Sequence, residues 1–259
     1  MPSLQRGSGR ALADCSAVTT AQFIVVAVAV FSAAFVQVIA GFGFALLAMP
    51  IMTLSIPVRT AVVVSSLLGI LTTAWQAVHL RSKADRPVGV RLALGAFVGM
   101  PLGLVILNVV SDRNLRLTLG IAVLVATALL ARRLSLAHVG PQLDYGAGFV
   151  SGVLNTSLST NGPPLVFALQ TRHFEGDRFR ATINLTFALS NIVGLSLFVL
   201  DGKVTRDGLV AAAIALPAWA AGQALGWPIR KHVHGERFRW VVLTMLFAAG
   251  VSAIVFALT

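Results

Sequence analysis

Of the chain's 259 residues, 57% are hydrophobic and only 11% charged, and the mean hydropathy is +0.87. Both lie outside the range of water-soluble domains, so the solvent this chain is built for is lipid. A net charge of +11 does not mark a nucleic-acid binder here, because Lys and Arg cap hydrophobic runs instead of gathering on one domain.

In chain order, Arg6 and Arg10 precede an apolar run, as in a signal peptide. The run continues far beyond a signal core, so residues 1–20 are expected to be a tail ahead of an uncleaved first segment. The lone Cys15 excludes an internal disulfide and a multi-cysteine metal site. From Cys15 to Val58 there is no Asp, Glu, Lys or Arg. As one straight helix at about 1.5 Å per residue this stretch would be about twice the thickness of the hydrocarbon layer. It therefore breaks, and Gly41-Phe42-Gly43 is the natural place, with Pro50 a second expected kink. Uncharged runs from Thr60 to Leu80, Leu92 to Ser111 and Leu117 to Ala131 then read as three spans. After a connection over 134–143, the run from Tyr145 to Thr171 is broken at Asn161-Gly162-Pro163-Pro164, and three more follow: Ala181 to Leu200, Gly208 to Ile229 and Trp240 to Thr259.

The order repeats. "GMPLGLVILNVVSDRNLRLTLGIAVLVATALLA" from Gly99 aligns with "GQALGWPIRKHVHGERFRWVVLTMLFAAGVSAI" from Gly222, so that Gly99 and Gly103 match Gly222 and Gly226. The expected fold is an all-α polytopic membrane protein of two half-repeats, residues 21–133 and 144–259, each a broken helix followed by three transmembrane helices. Charge decides how the breaks sit. If each broken segment is a hairpin that enters and leaves on one side, thirteen basic residues share one face and seven the other; if each crossed once, the split is ten and ten. The positive-inside rule selects hairpins, hence inverted halves with both termini outside the cytoplasm.

A helix interrupted inside a membrane exposes backbone N–H groups that lipid cannot satisfy, and the partial positive charge there suits a small anion. Two broken helices meeting near mid-membrane are a recurrent transporter site. The candidates are Gln37, Gly41, Phe42, Gly43 and Pro50 at the first break, and Ser159, Thr160, Asn161, Gly162, Pro163 and Pro164 at the second, with Ser157 beside it. Asn184 and Asn191, seven apart on one helix face, join them, and Ser65, Ser66, Gln76 and Ser190 are further polar residues within spans. Packing and kinking are the ordinary uses of Gly and Pro in such helices, and hydrogen bonding between spans is the ordinary use of Asn and Ser. Gly95, Gly99, Gly103, Gly222 and Gly226 have the spacing of close helix contacts.

No Asp or Glu is expected inside a span, all lying near span ends or in loops, which disfavours a buried carboxylate relay and a cationic substrate, leaving an anion or a neutral solute. His79, His138, His173, His232 and His234 lie at span ends or in loops. Neither a metal site, a cofactor motif nor a nucleophile elbow is present in the sequence, so no enzyme activity is expected. Transport of a neutral solute or metal ion, and a non-transporting scaffold subunit, are the competing readings; a homo-oligomer is left open.

"AGFGFALLAMPIM" (Ala40 to Met52) and "SGVLNTSLSTNGPPLVFAL" (Ser151 to Leu169), within two similar halves, resemble the TauE/SafE family of sulfite exporter-like transporters over about Phe23 to Ala257. The resemblance implies movement of small anions, sulfite or organosulfonates, through the bacterial inner membrane. Its first glycine-rich motif falls on Gly41 and Gly43 with Pro50, its second on Gly162, Pro163 and Pro164. Phe42, Phe44, Thr160 and Asn161 depart from the glycine-dense form of the pattern, which implies a narrower site with different hydrogen bonding.

Overall fold

Every apolar run described here is helical, because a chain in lipid has to satisfy its own backbone donors and acceptors. A computed structural model describes residues 20–132, 140–174, 176–229 and 236–258. Arg6, Arg10, Cys15, Arg133, His138, Arg230, Lys231, His232 and His234 lie outside them. The elements are α1 (Thr20–Ala40), α2 (Phe44–Met52), α3 (Val58–Leu80), α4 (Arg86–Val109), α5 (Asp112–Arg132), α6 (Pro141–Leu158), α7 (Gly162–Thr171), α8 (Gly176–Leu200), α9 (Arg206–Ile229) and α10 (Glu236–Leu258). Six of them, α1, α3, α4, α5, α8 and α9, are long and apolar enough to cross a membrane. At nine and ten residues, α2 and α7 are half-helices.

Each half-helix folds back on the helix before it. Gln22, at the start of α1, donates from Nε2 to the carbonyl of Ser55, just beyond α2, at 2.9 Å. At the second hairpin, Arg172 beyond α7 donates from Nε and Nη2 to the two carboxylate oxygens of Asp144 in the first turn of α6, at 2.8 and 2.9 Å. Arg91 of α4 donates to the same carboxylate at 2.8 Å. Asp144 thus sits near a span end, as its sequence position implies, yet it is fully buried.

The loops sort to two ends of the bundle. At one end Arg59 donates to Asp112 at 2.7 Å and to the carbonyls of Leu107 and Val110, Asn108 donates to Asp201, and Arg113 to the carbonyl of Ala257. At the other, Lys83 pairs with Asp177, and Arg178 donates to Asp85 at 2.7 Å, beside the Asp144 clasp. Burial raises the pKa of Asp85, but the hydrogen bond and charge of Arg178, the Val88 N–H and the charge of Arg91 together outweigh it and hold the carboxyl below its ordinary value.

Between the halves, α4 packs along α6 and α9 along α1, while α3 meets α8 and α5 meets α10. The α4–α6 contact is close enough that a Cβ on Gly95, Gly99 or Gly103 would collide with the carbonyl oxygens of Tyr145, Phe149 and Val153. On α9, a Cβ at Gly222 would lie 2.6 Å from the carbonyl oxygen of Phe31, and one at Gly226 3.2 Å from that of Phe35. The glycines aligned between halves therefore serve the same contact, each pair against the first helix of the other half.

Candidate functional site

The first break is built from backbone conformation. Gly41 and Gly43 have φ of 86° and 102°, the left-handed region in which a Cβ is strained. Gln37, one turn earlier, accepts a hydrogen bond on Oε1 from the Phe44 N–H at 3.0 Å, so α1 itself caps α2. At the second break Ser159 turns the chain with φ 56°, and Ser151 Oγ donates to the carbonyl of Asn161 at 2.8 Å. α7 then starts at Gly162 with no side-chain cap from Asn161. Pro163 and Pro164 have no N–H, which costs little in a first turn.

Both breaks open onto one cavity of about 30 Å³, more than a single water needs. Gln37, Gly43 and Phe44 line it from the first hairpin, and Ser159, Thr160, Asn161 and Gly162 from the second. Ser65, Gly69 and Thr73 of α3 and Phe187 and Asn191 of α8 complete the polar walls, with Ala45 and Leu46. The N-termini of α2 and α7 thus converge on one space, and among the described residues no carboxylate lines it. Ser65 Oγ, Thr160 Oγ1 and Asn161 Nδ2 are buried there without a hydrogen-bond partner. Such a group costs about 1–3 kcal/mol when it stays unpaired, so three around one cavity leave hydrogen-bonding capacity unused there.

The residues singled out from sequence divide into four groups. Gln37, Gly43, Ser159, Thr160, Asn161, Gly162 and Asn191 line the cavity, as does Ser65. Gly41 and Asn184 stand one layer away: the amide nitrogen of Asn184 reaches the Gly41 carbonyl at 3.0 Å, Gln76 Oε1 at 3.2 Å and the Arg180 carbonyl at 2.8 Å, which fixes the first break in place. Phe42 lies over Gly162, 3.9 Å from where a Cβ there would stand, with its ring edge-on to Phe179. Pro50, Pro163 and Pro164 do not line the cavity. Pro50 is buried inside α2, which continues through it, and its carbonyl accepts from Thr53 Oγ1 at 3.0 Å. Pro163 and Pro164 face an apolar groove of about 900 Å³ between α5 and the α6–α7 hairpin.

Of the lesser candidates, Ser157 returns its hydroxyl to the Val153 carbonyl, and Ser66 is buried outside the cavity. Thr73, Gly69 and Phe187 were not anticipated, and Phe44 was singled out only as a motif departure that narrows the site. Thr73 could have been, since Ser65, Gly69 and Thr73 follow at intervals of four on one helix face. Among the described residues, no three His, Cys, Asp or Glu side chains gather as a metal site.

Comparison with known proteins bears on this architecture. The sulfite exporter TauE/SafE family profile matches residues 25–253. A probable inner membrane transporter protein, TsaS of Comamonas testosteroni, is 28% identical over 108 residues, which cover 41% of this chain and 45% of that protein. The chain is thus aligned to less than half the length of that relative. No solved structure matches. With nearly the whole helical bundle inside the matched range, the chain belongs to the TauE/SafE sulfite exporter family.

Proposed function

We propose that this protein moves a small anion, sulfite or an organosulfonate, across the bacterial inner membrane by alternating access, and that the anion sits between the two breaks. The observation that carries the reading is the convergence of two half-helix N-termini on one cavity with unpartnered polar atoms and no carboxylate in its walls. Family membership supports a transporter, and the relative named an inner membrane transporter supports the location.

The two halves are inverted in this reading. In support, the first hairpin closes at the end that holds Arg59 and Asp112, the second at the end that holds Lys83 and Asp177. The end bearing Arg81, Lys83, Arg86, Arg91, Arg172, Arg178 and Arg180 faces the cytoplasm by the positive-inside rule. The two outer seams also differ, as alternating access requires. A groove of about 900 Å³ separates α5 from the α6–α7 hairpin, whereas about 10 Å³ remains between α10 and the α1–α2 hairpin, where Phe42 and Leu47 meet Met245 and Leu246. Leu46 and Thr160 line both the central cavity and the groove, so the wall between the two is formed by these side chains.

The test is counterflow of radiolabelled sulfite in liposomes containing the purified protein. Sulfite and short sulfonates are expected to exchange and neutral solutes of similar size not to. Exchange of a neutral solute in place of every anion would reverse the assignment. A reporter fused after Thr259 is expected to be active only outside the cytoplasm; activity inside would reject the orientation.

A further inference from the structure

A cation touches the first break. Arg180, in the second turn of α8, donates from Nη2 to the carbonyl of Ile39 at 3.0 Å, in the last turn of α1. Its stem lies so close to the break that a Cβ on Gly41 would stand 2.7 Å from Arg180 Cγ. Its own carbonyl is held by Asn184, the same amide that holds Gly41. Arg180, Asn184 and Gly41 are therefore one mechanical unit.

Among the described residues, the charge of Arg180 is only partly neutralised. Its carboxylate neighbour, Asp177, is 3.6 Å from Nη1 and is shared with Lys83. At 17% exposure the Arg180 side chain is neither in bulk solvent nor sealed in. Next to it, Gln76 Nε2 and Asn184 Oδ1 are buried without partners. Toward the cavity stands Phe42, whose ring covers Gly162, and then Gly43, which lines the cavity. Three consecutive residues thus link the guanidinium to the cavity: Gly41 against Arg180, Phe42 against Gly162, and Gly43 in the cavity wall.

Capping the end of α1 requires only a donor, which an uncharged side chain or a water could supply. A guanidinium sharing one carboxylate with a lysine leaves excess positive charge where the surroundings screen it poorly, and that favours an anion. We propose that Arg180 is a specificity-determining residue: the first anion contact on the path between the basic end and the cavity, releasing the Ile39 carbonyl when an anion takes its place. This rests on the reading of the cavity as an anion site.

The experiment is sulfite counterflow with the full chain in liposomes. Arg180→Gln is expected to raise the sulfite KM about tenfold with the maximal rate within about twofold, and Arg180→Lys to restore KM to within about threefold. Asp177→Asn keeps Arg180 and all its contacts with the break while removing the shared negative charge, and is expected to lower KM. A purely structural cap predicts the opposite division, with the rate or the folded yield falling and KM unchanged in both Gln and Lys variants. A wild-type KM in folded Arg180→Gln overturns the proposal; if that variant does not fold, an unchanged KM in Asp177→Asn does so. Absence of anion exchange by the wild-type protein would instead reject the anion site itself and this role with it.

Discussion

At Gly162 a methyl group has room and a larger side chain does not. A Cβ there would lie 3.7 Å from Leu46 Cδ1 and 3.9 Å from the rings of Phe42 and Phe187, ordinary van der Waals distances. Further atoms would enter the cavity shared by the two breaks. Gly162→Ala is therefore expected to fold and exchange anions, while Gly162→Leu folds and loses binding; sulfite-dependent stabilisation of the two purified variants checks this, and full binding by the Leu variant would remove Gly162 from the site. The glycine and its polar neighbours Thr160 and Asn161 were legible in the sequence because polar, helix-breaking residues in an uncharged span have few uses. The prolines were not so readable. Pro163 and Pro164 share the motif with Gly162, but helix geometry turns consecutive residues to different sides, and theirs meets the apolar groove.

Each helical hairpin depends on what holds its two ends together. Its length and break could be read locally, from an uncharged run and a Gly or Pro cluster. Its closure could not, since Gln22 with Ser55 and Asp144 with Arg172 are contacts across 33 and 28 residues. Only the distribution of basic residues between the two faces hinted that the segments return. Asp144 illustrates the limit further: sequence position marks a span end, and nothing local says that two arginines enclose it. Removing that carboxylate leaves Arg91 and Arg172, which are 26% and 20% exposed, facing each other across a buried gap. Asp144→Ala is expected to destabilise the protein by about 3 kcal/mol, the lower end of the cost of breaking a buried ion pair because both arginines retain some solvent. Thermal unfolding in detergent reads this; a melting temperature equal to wild type would mean that α6–α7 is held by packing alone.

At the scale of the molecule, the halves exchange partners: the first helix of each packs on the glycine face of the other half's fourth helix counted through the break, α1 on α9 and α6 on α4. The two breaks meet at one cavity, and Gly99 and Gly222 are where these two helix contacts show in the sequence. The difference between the two outer seams left no such trace, because both are lined mostly by interchangeable apolar residues. The central claim is that the joint cavity binds an anion. Its most direct test is the thermal stability of the detergent-purified protein against sulfite, sulfate, short sulfonates, carboxylates and neutral controls. A bound anion at about 100 times its dissociation constant adds about 2.7 kcal/mol to the native state, so sulfite or a sulfonate is expected to raise the melting temperature and neutral analogues are not. Stabilisation by a neutral solute with no response to any anion would contradict the account.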